Sequence, residues 1–298
     1  MDTSKFFIAI GPPKTGTTWL YHNLKKHTKV ALPRDKEIRY FWAKEFLGKN
    51  NFITNLFGNN WHFLSKRKKF KNAIKQHIKN LFLLRGISIA DIKWDFKYFF
   101  GTQTDSWYEN LFTNKSLSGD ITPKYSELSE KSLKNIKSLI PNCKIIISLR
   151  DPIDREWSRV KMNLLKKKKR AKITEVSDTE VLNHINDKLQ YSSNNYAELI
   201  AVWEKHFSKN NVFVFYYEEL QENPQELLDR ICDFLTIPRE QIPDIATKRN
   251  TGITEPIPTV YLNELVRLNY PFIEKLNSQY PNQHTEKWLQ KYKIANFN

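Results

Sequence analysis

The chain has 298 residues, 40% of them apolar and 13% aromatic, with a formal net charge of +16 at pH 7. That length supports an ample core in a single domain with insertions, and that composition excludes a disordered chain. The positive charge points to an anionic ligand or to biased composition, and no nucleic-acid motif accompanies it, so no dedicated nucleic-acid surface is expected.

Phe6–Ile10 is a short apolar run that predicts a fully buried strand, ended by Gly11. Residues 11–18 then read Gly-Pro-Pro-Lys-Thr-Gly-Thr-Thr. Thr15 or Thr17 can cap the helix that follows, in which Leu20, Leu24 and His27 share one face. The stretch 44–112 holds aromatic and basic helices without strong strands and predicts an insertion over one end of a sheet, with Trp42, Trp61, Trp94 and Trp107 covering that sheet. A short strand is expected at 116–120, before Thr122-Pro123, and a helix over 127–139. Lys144–Leu149, with three isoleucines in succession, predicts a second buried strand. It leads into Asp151, a helix cap with Pro152 at the first helical position. A second helical insertion is expected at 160–190, then a helix over 194–207, a strand over 211–216 and a helix over 224–235. Strands alternating with amphipathic helices predict an α/β fold with a central parallel sheet flanked by helices on both faces.

Two basic runs, Lys66-Arg67-Lys68-Lys69 with Lys71 and Lys166–Arg170 with Lys172, read as solvated helix faces or as attractors of an acidic substrate. The apolar run near the N-terminus is too short for a signal peptide or a membrane anchor, so a cytoplasmic protein with no transmembrane segment is expected. Cys143 and Cys232 sit beside apolar neighbours and read as buried free thiols. The histidines and cysteines show no metal-ligand spacing, and no metal is expected.

Gly11 and Gly16 have the spacing of a phosphate loop, yet Thr17 stands where the nucleotide-gripping lysine belongs, and the lysine is displaced to Lys14. Backbone N–H groups, three threonine hydroxyls and the Lys14 ammonium suit an anion at a helix N-terminus. The position of Thr17, and the lack of a clear magnesium-binding aspartate, disfavour an ATP-dependent kinase. A non-catalytic polyanion-binding module is the other rival. In parallel α/β sheets ligands lie beyond the carboxyl ends of the strands, which gathers 11–18, 122–125 and 150–158 at one rim.

Pro13–Leu20 resembles the 5′-phosphosulfate loop of sulfotransferases that use 3′-phosphoadenylyl sulfate (PAPS). Arg150-Asp151-Pro152-Ile153-Asp154-Arg155-Glu156-Trp157-Ser158 resembles that family's 3′-phosphate motif, R-D-P-x-x-R-x-x-S. Weaker similarity runs through Tyr196–Trp203 and Val212–Leu220, so the resemblance covers roughly residues 5–236. It implies a three-layer, P-loop-like sulfotransferase fold, with PAPS as cofactor and adenosine 3′,5′-bisphosphate as product. It also implies that Lys14, Thr15, Gly16, Thr17, Thr18 and Trp19 hold the phosphosulfate end, that Arg150 and Ser158 hold the 3′-phosphate, and that Lys248 and Arg249 close over the nucleotide. Lys36-Glu37-Ile38-Arg39-Tyr40-Phe41 resembles the Lys-Glu-x-His-Phe-Phe stretch of glycosaminoglycan-type members, which makes Glu37 the expected general base, beside Lys14 as the stabiliser of leaving charge. Arg39 replaces that family's histidine. Gly119–Tyr125 resembles the Glu-Lys-Thr-Pro-x-Tyr segment, with Asp120 for the glutamate and Ile121 for the lysine. Asp120 is the reserve base and otherwise a structural acid, and Lys124 is the candidate to replace the missing lysine. The Glu37 segment implies a carbohydrate or glycoconjugate acceptor, whereas Gly-Thr-Thr-Trp resembles enzymes that act on small molecules.

Overall fold

The computed structural model describes residues 3–48, 61–82, 88–112, 117–166, 170–187, 192–247 and 255–293. Five parallel strands form one sheet: β1 (Phe6–Ile10), β2 (Val30–Ala31), β3 (Leu117–Ile121), β4 (Lys144–Leu149) and β5 (Val212–Tyr216), in the order β2-β3-β1-β4-β5. β1 lies at the centre, with Ala9 opposite Ile121 on one side and Ile146 on the other. The three apolar runs at 6–10, 144–149 and 211–216 become strands almost residue for residue. Two-residue β2 had no alternation long enough to read.

Helices cover both faces. In chain order they are α1 (Thr17–Leu24), α2 (Tyr40–Phe46), α3 (Trp61–Phe82), α4 (Ile89–Phe100), α5 (Asp105–Glu109), α6 (Glu130–Leu139) and α7 (Pro152–Lys161). They continue with α8 (Asp178–Ile185), α9 (Tyr196–Phe207), α10 (Tyr217–Glu222), α11 (Pro224–Leu235), α12 (Thr259–Gln279) and α13 (Gln283–Lys293). The strand period of two divides the core. Phe6, Ile8, Ile10, Ile145, Ile147 and Leu149 face one apolar cluster, while Phe7, Ala9, Ile146 and Phe215 face the other. Ile145, Ile146 and Ile147 are fully buried, each worth about 1.5–3 kcal/mol of burial. This two-sided burial is why the strands read as continuous apolar runs.

Among the described residues, both expected insertions are helical. Trp42 and Trp107 are buried, Trp94 packs partly against the core, and the Trp61 side chain lies outside the described residues. Cys143 and Cys232 are buried and free. His27 falls just past the end of α1, buried, with its Nε2 2.8 Å from the Pro238 carbonyl. No described helix is long and apolar enough to cross a membrane.

Candidate active site

The carboxyl ends of β1, β3 and β4 bring the 11–18 loop, the 120–125 turn and the 150–158 segment together at one rim. At Gly11 the backbone takes φ +149°, and a Cβ there would stand 2.4 Å from the Ser148 carbonyl oxygen. At Gly16 φ is +98°, and a Cβ would lie 2.5 Å from Leu220 Cδ2. Both positions need glycine, which fixes a tight turn with α10 packed over it. Neither Thr15 nor Thr17 caps α1: Gly16 occupies the cap position with no side-chain bond. The Thr15 hydroxyl is buried and turned into the loop, 2.9 Å from the Pro12 carbonyl and 2.6 Å from Ser148 Oγ. Only its backbone N–H remains to offer a ligand.

The hydroxyls of Thr17 and Thr18 instead accept from Lys36 Nζ, at 3.2 and 3.1 Å. In the sequence Lys36 stands out only as the flank of Glu37. Its reach across the loop depends on the chain returning after β2, which no local pattern encodes. Lys36 Nζ also lies 3.6 Å from Glu37 Oε1, and Arg39 Nε donates to Glu37 Oε2 at 3.1 Å. Burial pushes the Glu37 carboxyl up, but the Arg39 guanidinium and the Lys36 ammonium outweigh it and hold the group below its ordinary value. Burial draws the Lys36 ammonium below the ordinary lysine value, against the opposing pull of Glu37. Glu37 is therefore ionised at neutral pH beside a lysine ammonium that burial has partly stripped of water. The backbone is left-handed at Lys14 (φ 83°), Glu37 (φ 65°) and Arg39 (φ 59°), so three strained non-glycine residues cluster at this one place.

Asp120 is fully buried and accepts from Thr122 Oγ1 (2.7 Å), Tyr125 OH (2.8 Å) and Tyr108 OH (3.1 Å), while its pKa also feels a backbone hydrogen bond from Ile38. Every lone pair is engaged, and the Arg39 N–H in turn donates to Thr122 Oγ1 at 3.4 Å. This arrangement makes Asp120 the buried post to which the 37–41 segment is tied. Burial pushes it up to about 6 despite its four donors. Because the folded chain then holds this proton more tightly than the unfolded one, its contribution to stability is least favourable above pH 6. That contribution improves as pH falls from about 6 toward the unfolded value near 4. Asp120→Asn should flatten this part of the stability–pH curve in chemical unfolding. An unchanged slope would contradict the assignment.

Ile121 is buried, and Lys124 does not replace its missing lysine. Residues 123–127 form a 3-10 turn, not an extended strand, and the turn carries Lys124 Nζ to Glu127 at 2.7 Å, over the Trp42 ring. Nor is the first basic run simply a solvated face. Lys66 is buried over the Tyr98 and Trp107 rings, and burial and Lys69 push its pKa down to about 7. Lys69 Nζ donates to Asp35 Oδ2 at 2.6 Å and to the Lys36 carbonyl at 3.2 Å.

The second motif is stitched to the first. Arg150 donates to the Lys14 carbonyl and fully buried Arg155 to the Pro13 carbonyl, each at 3.4 Å. The Arg150 guanidinium stacks over Tyr217, 4.5 Å from the ring centre, and stays partly exposed. Ser158 lies two turns into α7, also partly exposed. Arg155 is braced by Asn194 Oδ1 (2.6 Å), Ser193 Oγ (2.9 Å) and Glu156. Tyr196 is core, as its helical spacing implies, and its hydroxyl donates to the Arg150 carbonyl at 3.0 Å.

Lys248 and Arg249 lie outside the described residues. The flanks of their segment are held by the two motifs. Trp19, largely buried, donates its indole N–H to the Ile245 carbonyl at 2.8 Å. Trp157 and Lys161 donate to the Glu255 carbonyl at 3.2 and 3.1 Å.

Asp151 caps α7 through Ile153 N (3.0 Å) and Asp154 N (3.4 Å). Its other oxygen accepts from Lys291 Nζ (2.9 Å) and Tyr292 OH (2.7 Å) on α13. Trp288 of the same helix donates to Glu218 at 3.0 Å. Burial and then the Asp154 charge push the Asp151 carboxyl above its ordinary value, against the opposing pull of Lys291 and Tyr292. Together with α10, α13 closes a cleft of about 210 Å³ beside Arg150. Lys291→Met leaves a buried carboxylate without its cation. We expect a loss of about 1–2 kcal/mol in chemical unfolding, moderated because Lys291 is half exposed and screened. Wild-type stability would show that α13 does not brace the motif.

The site thus offers two cationic, donor-rich places, one at the loop and one at Arg150, with an ionised carboxylate beside the first. A sequence model of the sulfotransferase family matches residues 6–241. The membrane-associated sulfotransferase kil1 of Dictyostelium discoideum is 27% identical over 153 residues, which are 51% of this chain and 22% of that protein. This chain therefore matches only about a fifth of that relative's length. A crystal structure of a sulfotransferase from Alicyclobacillus acidocaldarius superposes with TM-score 0.60 at 20% identity, covering 95% of this chain and 97% of that one, and shares its fold. With the family's sequence pattern running from the first strand past the fifth, this chain belongs to the sulfotransferase family and is an enzyme of that class.

Proposed function

We propose that the enzyme transfers the sulfuryl group of PAPS to a hydroxyl of a carbohydrate or glycoconjugate in the cytoplasm. The observation that carries this reading is Lys36 bridging the Thr17 and Thr18 hydroxyls while its neighbour Glu37 stands ionised at the same place. The donor set fits a ligand with two separated anionic ends. Lys14, Lys36, the Thr17 and Thr18 hydroxyls and the loop N–H groups would hold the phosphosulfate end, while Arg150 and Ser158 would hold the 3′-phosphate. Tyr217 offers a ring face beside Arg150, and the segment of Lys248 and Arg249 would close over the nucleotide.

PAPS supplies the sulfuryl group with a phosphate leaving group. Glu37 would take the proton of the acceptor hydroxyl. Lys36, Lys14 and the loop N–H groups would stabilise negative charge on the phosphate that leaves. Arg39 keeps Glu37 ionised and oriented, and Asp120 ties down the backbone that carries both.

Incubation with sulfur-labelled PAPS and a panel of soluble glycans and small hydroxyl compounds tests the acceptor. Label on a sugar hydroxyl supports this reading. Label confined to small non-carbohydrate molecules would replace the acceptor but not the chemistry.

A further inference from the structure

α3 and α4 pack as an antiparallel hairpin: the Phe70 ring meets Phe99 and Phe100, with centroids 5.1 and 5.2 Å apart, and His77 Nε2 lies 2.8 Å from Asp95. At 100° per residue, Ile74 and Ile78 fall to one side of the Phe70–His77 contact line. Ile92 and Phe96 fall to one side of the Asp95–Phe99 line, and in an antiparallel pair those two sides coincide. The Phe96 ring, 5.1 Å from Phe100, continues the aromatic contact outward. This shared face exposes Ile74 (41%), Ile78 (48%), Ile92 (44%) and Phe96 (67%). Most of the large exposed apolar side chains of the described residues belong to α3 and α4.

The charge around this face has one sign. α3 contains no acidic residue, and its Lys68, Lys71, Lys75 and Lys79 are exposed, as is Lys93 of α4. The two acids of α4 are spoken for, Asp91 by Arg34 and Asp95 by Arg34 and His77. Apolar side chains set among lysines on a 22-residue helix match an interfacial helix that lies in a lipid headgroup layer. An acidic protein partner would account for the lysines, but not for exposed isoleucine and phenylalanine spread over two helices. We propose that the α3–α4 hairpin docks on an anionic lipid surface, with its apolar residues entering the headgroup boundary and its lysines meeting lipid phosphate. The hairpin is bolted to the active-site segment through Lys69–Asp35 and Arg34–Asp95, so lipid docking and the Glu37 segment are mechanically joined.

The test is co-sedimentation of the full chain with phosphatidylcholine vesicles, with and without phosphatidylglycerol. Binding is expected only to the anionic vesicles, weakening as salt rises. Ile92→Asp with Phe96→Asp should lower binding at least about tenfold, and so should Lys71→Glu with Lys75→Glu. Circular dichroism and melting temperature report whether these surface variants stay folded. If one pair unfolds the protein, the other pair carries the test. Failure to bind anionic vesicles at low salt would overturn the proposal. So would undiminished binding by folded variants, or a self-associated wild type that the same substitutions render monomeric.

Discussion

Replacing Glu37 with glutamine is expected to lower kcat about 10²–10⁴-fold while leaving the affinity for adenosine 3′,5′-bisphosphate within about twofold. The amide keeps the shape of the side chain and a hydrogen-bonding oxygen for Arg39, but it cannot take the acceptor proton. In the proposed function the nucleotide is held by other groups: the 11–18 loop, Arg150 and Ser158. The wild-type profile should carry a further signature. Arg39 and Lys36 hold the Glu37 carboxyl below its ordinary value, so turnover should persist as pH falls through the usual glutamate range. A drop at or above that range would show a carboxylate that is not clamped. If Glu37→Gln turns over like wild type, the base lies elsewhere. Asp120 is then the next residue to substitute, although four donors and complete burial leave it no open lone pair.

Lys36→Met should lower kcat about 10²–10³-fold, the scale of losing one preorganised donor to a developing oxyanion. It should also raise KM for PAPS, because the same ammonium joins the Thr17 and Thr18 hydroxyls. Lys36→Arg should restore part of the affinity and less of kcat, since a planar fork cannot sit where a compact ammonium does. Steady-state kinetics separates the two effects. A rise in KM with unchanged kcat would make Lys36 a binding residue and leave Lys14 to stabilise the leaving group.

The sheet and the turns that follow β1 and β4 are legible in the sequence because each is local. Isoleucine and phenylalanine runs mark strands buried on two faces, and proline and glycine mark the turns after them. The role of Asp151 as a cap was equally local, since Pro152 follows it. What was not legible comes from contacts between distant segments. Lys36 reaches Thr17 and Thr18 only once β2 has placed the chain beside the loop. Arg155 belongs to a local motif, but its hold on Pro13 depends on the alignment of β1 with β4. α12 and α13 carried no clear sequence signal, α12 having Pro271 in its interior. The grip of Lys291 and Tyr292 on Asp151 therefore spans about 140 positions and had no local cue. Lys124 faces Glu127 and not the site because residues 123–127 turn as a 3-10 helix, a backbone choice that the Thr-Pro-Lys-Tyr sequence alone does not reveal.

In the proposed function the loop and Arg150 form two anion sites for one nucleotide that carries phosphate at both its 3′ and 5′ ends. Calorimetric titration of the wild-type protein and Arg150→Ala with adenosine 3′,5′-bisphosphate and with magnesium ATP tests it directly. The bisphosphate should bind the wild type more tightly than magnesium ATP does. Arg150→Ala should weaken bisphosphate binding about 10–100-fold, through the loss of charge-assisted bonds to the 3′-phosphate. Bisphosphate binding no tighter than ATP, together with an Arg150→Ala variant that binds it like wild type, would mean that the loop and Arg150 do not share one such nucleotide.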